Sequence, residues 1–119
     1  MGELTISITS VIGSNLCIAS DDGEKVHKLI ADAIKRGDKV RLSFAGVQDL
    51  TSAFLNTAVG QLYSEFSEDS LKAAMLPPVD ASPDDLVLLK RVVDRAKEFF
   101  RDPGRFHQAA KEILGDKDE

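Results

Sequence analysis

Two groups of carboxylates come nearest, in residue type and spacing, to a metal site in this chain. They are Asp21, Asp22 and Glu24 and, later in the sequence, Asp80, Asp84 and Asp85. Carboxylate oxygens are the ligands that magnesium prefers in proteins. Each group, however, opens a predicted helix, where acids complement the helix dipole without any metal. We therefore expect no metal site and no cofactor.

For the cysteine and the two histidines of the chain, a structural role is a simpler interpretation than a catalytic one. Cys17 lies in a predicted strand without a nearby His or Asp partner pattern, so we expect it in the core. His27 and His107 each lie beside an apolar helical stripe, which favours structural positions for both. The Walker, dinucleotide-binding, HExxH and CxxC motifs are absent from the sequence. We expect that the protein is not an enzyme.

The segment with the most unusual composition is residues 42–64. Charged residues make up 29% of the chain, yet this segment contains a single one, Asp49. A solvent-facing helix usually carries Lys and Glu, whereas the buried core of an interface is depleted of charge. We therefore interpret the polar side of this helix as a docking face for another protein, unless another part of the same chain covers it. This docking face consists of Ser52, Asn56, Thr57, Gly60, Gln61 and Ser64.

The elements that would position this face alternate between strands and helices. Polar–apolar alternation and helical periodicity predict the order strand, strand, helix, strand, helix, strand, helix, helix. The first two strands are expected to form an antiparallel hairpin, with the second lying deeper in the sheet because it is more continuously apolar. Helical crossovers between the other strands predict a mixed four-stranded sheet covered by helices. The four predicted strands are residues 4–9, 16–19, 40–44 and 71–76.

Capping signals mark the two long helices. Asp21 and Glu24 have the spacing of a capping box, and a glycine at position 37 is expected to end that helix. Ser82 followed by Pro83 predicts the start of a later helix, whose apolar face is unusually wide. The expected cover for this face is the last helix, which carries Phe106, Ala109, Ala110, Ile113 and Leu114.

Length and charge set the class of protein. We expect one domain over residues 1–114, followed by a charged tail at 115–119. The net charge of −5 is spread without a basic stripe, which argues against a nucleic-acid partner. A single cysteine fits a reducing compartment, and the sequence shows neither a signal-peptide pattern nor an apolar run that could cross a bilayer. We expect a cytoplasmic protein without a membrane partner.

Two motifs beside the docking face carry a family resemblance. Residues 40–47 read Val-Arg-Leu-Ser-Phe-Ala-Gly-Val, which is similar to the strand motif V-x-L-x-L/F-x-G-V of the STAS family. That family is named for sulfate transporters and anti-sigma factor antagonists, and it includes STAS-like domains of unknown function. Residues 51–55, Thr-Ser-Ala-Phe-Leu, fall where the antagonists carry D-S-S-G-L. The predicted order of elements also resembles this family over nearly the whole chain.

The resemblance implies a small module that binds another protein through the helix opening at Thr51 and Ser52. The implied partner is a histidine-kinase-like ATPase or an anti-sigma-type kinase that phosphorylates the site. Ser52 aligns with the phosphorylated serine, and Thr51 with the residue before it. Leu50 and Ala53 replace the acid and the glycine of the motif. These departures weaken the expectation of phosphorylation more than the expectation of docking. The expected contact residues are Asp49, Thr51, Ser52, Asn56, Thr57, Gly60 and Gln61.

Two other functions remain open at this point. The start of the same helix, after Asp49, could bind a nucleotide or a phosphate as a regulatory ligand. The neutral docking face could instead join two copies of this chain as a homodimer.

Overall fold

The computed structural model describes residues 2–101; the predicted last helix, the tail and His107 lie outside the described residues. The strands are β1 (Glu3–Ser7), β2 (Leu16–Cys17), β3 (Lys39–Ser43) and β4 (Asp49–Leu50). The helices are α1 (Ile8–Ile12), α2 (Ser20–Lys35), α3 (Ser52–Leu55), α4 (Leu62–Glu65), α5 (Glu68–Ala74) and α6 (Pro83–Arg101). A π-helical turn, Asn56–Gly60, lies between α3 and α4. We call the continuous run from α3 to α4 the central helix.

The α/β class is confirmed, but the predicted four-stranded sheet is wrong. The described residues form two parallel two-stranded sheets, one joining β1 to β3 and the other joining β2 to β4. The predicted antiparallel hairpin of β1 and β2 is therefore also wrong. Ile8, Val11 and Ile12 follow helical spacing and all contact the core, so the chain turns into α1 where strict alternation had predicted more strand. Gly13, with φ of +70°, ends this helix.

The second strand does not lie deeper than the first. It contains only Leu16 and Cys17, and Leu16 is 44% exposed whereas Cys17 is fully buried. The core position expected for Cys17 is confirmed. Burial, followed by the nearby carboxylates of Asp22 and Asp85, raises the pKa of the Cys17 thiol. A buried thiol with a raised pKa is a poor nucleophile.

The strand predicted at residues 71–76 is a helix over most of its length. The Ser67 hydroxyl caps α5 by accepting a hydrogen bond from the backbone N–H of Ser70 at 3.1 Å, so a helix already begins before the predicted strand. The extended part lies farther along the chain, where the backbone N–H groups of Leu76 and Val79 donate to carbonyl oxygens of β3. Bridges at Met75 and Val79 place this segment parallel to β3. The two prolines between them lack the N–H that a central strand would need.

The ends of the long helices agree in part with their predicted caps. α2 begins after Ala19, which supplies no side-chain cap, so the capping box predicted at Asp21 and Glu24 is wrong. Its end is confirmed, because Gly37 adopts a φ of +90°. The start of α6 is confirmed as well: the Ser82 hydroxyl accepts from the N–H of Asp85 at 3.1 Å, and the Asp85 carboxylate accepts from the N–H of Ser82 at 3.4 Å. None of the helices within residues 2–101 combines the length and apolar character needed to cross a bilayer.

The core lies where α2 and the central helix pack on β3. Apolar burial of this kind supplies most of the folding free energy. The apolar side of the central helix faces this core, since its side chains are buried up to Leu62 and Phe66 packs at the edge of the core. The fully or almost fully buried side chains from the three elements include Val26, Ile30, Val40, Leu42, Phe54, Leu55 and Leu62.

Gly23 lets α2 approach the central helix at backbone distance. A Cβ atom on Gly23 would lie 2.7 Å from the carbonyl oxygen of Phe54 and 3.0 Å from Cβ of Thr57. Gly60 has more room, since its Cβ would lie 3.4 Å from Oδ1 of Asn56 and 3.6 Å or more from side chains of α6. The two glycines therefore serve different packing needs.

Alanine substitutions at the two glycines should change stability in opposite directions. Gly23→Ala gains about 1 kcal/mol of helix propensity but forces a contact with rigid backbone, so we expect it to destabilise the fold by about 1–2 kcal/mol net. Gly60→Ala meets only ordinary contacts and should be neutral or stabilising by up to about 1 kcal/mol. Urea unfolding of the full chain measures both values. Equal effects of the two substitutions would contradict this description of the packing.

Candidate functional site

Thr51 is the N-cap of the central helix, and both sides of its hydroxyl are occupied. Its Oγ1 accepts a hydrogen bond from the N–H of Phe54 at 3.2 Å and donates to the carbonyl oxygen of Ile18 at 3.0 Å. Its own N–H donates to the carbonyl of Cys17 at 3.1 Å. Thr51 is half-buried. These contacts join the central helix to β2, so Thr51 has a structural role.

Ser52 differs from its neighbour in every one of these respects. It occupies the first position of the helix, it is exposed, and its hydroxyl makes no hydrogen bond with any other residue between 2 and 101. The Ser52 hydroxyl is therefore accessible to solvent while the cap at Thr51 stays intact. Of the two residues predicted as phosphorylation candidates, Ser52 is the more exposed one.

Alanine substitutions separate these two roles. Thr51→Ala should lower the free energy of unfolding by about 1 kcal/mol or more, because the N-cap is lost and the carbonyl of Ile18 loses its donor. Thr51→Ser, which keeps the hydroxyl, should recover most of that loss. Ser52→Ala should stay within about 0.5 kcal/mol of the wild type. Thermal and urea unfolding of the three variants test this, and an equal loss for both alanines would show that the cap is assigned wrongly.

The docking face is flanked by two helices that cover part of it. α2 packs on the side of Thr57, whose hydroxyl donates to the carbonyl of Ala53 at 3.2 Å. α6 packs on the other side over Gly60, which is buried. Gly60 therefore does not belong to the accessible surface, and the alternative that the chain covers its own neutral face is correct at this position. Four residues of the docking face remain exposed: Ser52, Asn56, Gln61 and Ser64.

The π-helical turn explains why Gly60 was placed on the wrong side. Regular helical periodicity puts Gly60 in the middle of the polar face. In the structure the N–H of Gln61 donates to the carbonyl of Asn56 at 2.9 Å, five residues back. The wider turn accompanies the close approach of α6 at this point. π-turns of this kind are rare and are often found at functional sites.

A small cavity opens where the central helix meets the last two turns of α6. It has a volume of about 160 Å³. Phe99 is 45% exposed here, and its ring meets that of Phe100 edge to face with centroids 5.0 Å apart. The wall of the cavity therefore combines amide side chains of the docking face with an aromatic pair. We call it the α6 notch, and it is lined by Asn56, Gly60, Gln61, Arg95, Ala96, Phe99 and Phe100.

A second, wider groove separates the central helix from α2. Nε2 of His27 and Oε2 of Glu65 are 2.6 Å apart across it. Nδ1 of His27 is buried and has no hydrogen-bond partner within residues 2–101. The structural role expected for His27 is confirmed, since this contact joins α2 to α4. Thr57 and Gln61 also line the groove, together with charged side chains of α2.

Carboxylates gather beside the start of the central helix. Asp49, Asp80, Asp84 and Asp85 line one open cleft. Asp80 adopts a φ of +59° and accepts a hydrogen bond from the buried Ser43 hydroxyl at 3.4 Å. Within the described part of the chain, no three His, Cys, Asp or Glu side chains are placed to hold a metal ion. Neither predicted carboxylate group is therefore assembled as a metal site.

The C-terminal end of α6 is tied to the start of α5. The Arg101 guanidinium donates two hydrogen bonds to the carboxylate of Glu68, at 2.9 and 2.8 Å. These hydrogen bonds hold the pKa of the Glu68 carboxyl below its usual value. The pair is solvent-exposed, so its contribution to stability is small, but it orients the helix end that borders the α6 notch.

The sequence motifs missed Arg95 and the His27–Glu65 pair as parts of the site. Both come from elements far from residues 49–61 in the sequence. The charge-poor composition of the central helix was the sequence feature that indicated an unusual surface on this helix. The wide apolar face of α6 was the sequence feature that indicated a further packing contact for this helix, which in the structure is the central helix.

A comparison with known families shows to which family this chain belongs. The profile of the family described as STAS-like domain of unknown function (DUF4325) matches residues 22–85, more than half of the chain. This chain belongs to that family. The match runs from α2 to the first turn of α6 and therefore includes the whole central helix. No curated protein and no solved structure gives a significant match.

Proposed function

We propose that this STAS-like domain is a non-enzymatic interaction module that docks on another protein through Ser52, Asn56 and Gln61. The observation that carries the proposal is the exposure of these neutral side chains on a helix whose flanks are held by α2 and α6. Desolvating neutral groups costs less than desolvating charges. A helix held at both sides can also dock without a large loss of conformational entropy.

Phosphorylation of Ser52 is the regulatory step of the proposed mechanism. The partner that performs it would be a histidine-kinase-like ATPase or an anti-sigma-type kinase. A phosphate would bring about −1.5 to −2 charges to this surface. Asp49 precedes Ser52 by three residues and lines the carboxylate-rich cleft beside the start of the central helix, so a phosphate on Ser52 would make this end of the helix more negative. A partner fitted to neutral side chains would then be released.

The nucleotide- or phosphate-binding alternative has less support. Among residues 2–101, the cleft next to the start of the central helix is lined by four carboxylates and by no Lys or Arg. Phosphate groups are normally held by cationic side chains and free backbone N–H groups. The N–H of Phe54 is already bonded to Thr51. Repulsion by the carboxylates therefore makes this helix start a poor anion site.

A charge placed on the docking face should weaken binding to the native partner. The tagged full chain is used to recover that partner from native extract, and affinities are then measured by calorimetry. Gln61→Lys should weaken binding about tenfold or more, because an unpaired ammonium would be buried in the complex. Ser10→Lys is the matched control, since Ser10 is exposed on α1. It should bind as the wild type does.

Folding of both variants is checked first by circular dichroism and urea unfolding. Equal affinities of a well-folded Gln61→Lys variant and the Ser10→Lys control would rule out docking through the central helix.

A further inference from the structure

We propose that the partner protein anchors itself in the α6 notch with one aromatic side chain and pairs a neighbouring carboxylate with Arg95. The inference rests on the proposed function, because Asn56 and Gln61 belong both to the notch and to the docking surface. It adds the chemistry of the partner, an aromatic residue beside an aspartate or a glutamate. The lining residues of the notch lie between positions 56 and 100, within the part of the chain that the structure describes.

The notch has the size of a single ring. Its volume is about 160 Å³, and an apolar cavity of roughly 150 Å³ accepts benzene. Gly60 and Ala96 are both buried in its wall, and their small size leaves space between the central helix and α6. The ring of one Phe or Tyr side chain therefore fits this cavity.

The wall of the notch favours an aromatic ring over an aliphatic side chain. Aromatic rings pack edge to face on one another, as Phe99 and Phe100 do in this wall. The side-chain amides of Asn56 and Gln61 carry N–H donors, which suit a phenol oxygen or the face of a ring. Buried aromatic anchors of this kind supply much of the binding free energy in protein interfaces.

Arg95 gives the notch a positive charge, which favours a carboxylate on the partner. Within residues 2–101 it is the one charged side chain that lines the notch. It is exposed, and no carboxylate of the described residues forms an ion pair with it. A guanidinium binds a carboxylate through two parallel hydrogen bonds, whereas it repels a lysine or an arginine. The anchoring segment of the partner is therefore acidic as well as aromatic.

An acidic anchor also agrees with release by phosphorylation. Ser52 lies one helical turn before Asn56 in the central helix. A phosphate on Ser52 would carry about −1.5 to −2 charges and would repel a carboxylate bound in the notch. The proposed modification would thus act on the partner directly, by repulsion between like charges.

Matched charge removals on α6 test the carboxylate contact. The affinities of full-chain variants for the recovered partner are measured by calorimetry, after circular dichroism and urea unfolding have shown that the variants fold. Arg95→Gln should weaken binding about tenfold, because a hydrogen-bonded charge pair is lost. Lys90→Gln removes the same charge on another side of α6, where Lys90 pairs with Asp94, and should bind as the wild type does. Equal affinities of the two variants would overturn the contact.

Gly60→Ala tests whether a ring enters the notch. Its Cβ atom would lie 3.4 Å from Oδ1 of Asn56 and 3.8 Å from Cβ of Ala96, so the methyl group takes space in the notch without unfolding the chain. Binding of the partner should weaken about fivefold or more, because the ring meets an overpacked cavity. Wild-type affinity of the folded Gly60→Ala variant would contradict the insertion of a ring.

Isotope-filtered NMR spectroscopy of the complex identifies the inserted side chain. With this chain labelled and the partner unlabelled, the side-chain amide protons of Asn56 and Gln61 should show nuclear Overhauser effects to aromatic protons of the partner. Effects to aliphatic protons alone would overturn the proposal.

The two levels of the account fail in different ways. Wild-type affinity of both Arg95→Gln and Gly60→Ala, together with weak binding of Gln61→Lys, would disprove the aromatic and acidic anchor yet leave docking through the central helix intact. Wild-type affinity of Gln61→Lys as well would reject both.

Discussion

The close approach of α2 to the central helix is the constraint on which the rest of the site depends. At Gly23 the two helices meet at backbone distance, against the carbonyl of Phe54 and the side chain of Thr57. Since protein interiors are close-packed, this contact determines which side of the central helix faces the core. The opposite side is then left for α6 and for solvent. The exposure of Asn56 and Gln61 follows from that division.

At the start of the central helix, the adjacent hydroxyls of Thr51 and Ser52 differ in role: one is structural and the other is accessible. Thr51 caps the helix and connects it to β2 and the residue after it, through the carbonyls of Cys17 and Ile18, whereas the Ser52 hydroxyl takes part in no such contact within residues 2–101. A modification at Ser52 can therefore alter the charge of the surface while the cap remains intact. This separation of a structural hydroxyl from an accessible one is compatible with the regulation that we propose.

Local sequence signals predicted the helices better than the sheet. Local patterns of neighbouring residues predicted α2, the start of α6 at Ser82 and the central helix. The structure contains all three. Pairing of β1 with β3 and of β2 with β4 depends on residues more than 30 positions apart, and no local pattern encodes such partners. Alternation in residues 4–9 also hid the helical spacing that starts at Ile8. At the site, the burial of Gly60 could not be predicted because it requires a π-turn and a contact with α6.

The most direct test of docking through the central helix is a hydrogen-exchange footprint of the partner on the full chain. The account predicts slower exchange over residues 52–64 in the complex and unchanged exchange in β1. Protection of β1, with exchange in the central helix unaltered, would contradict it.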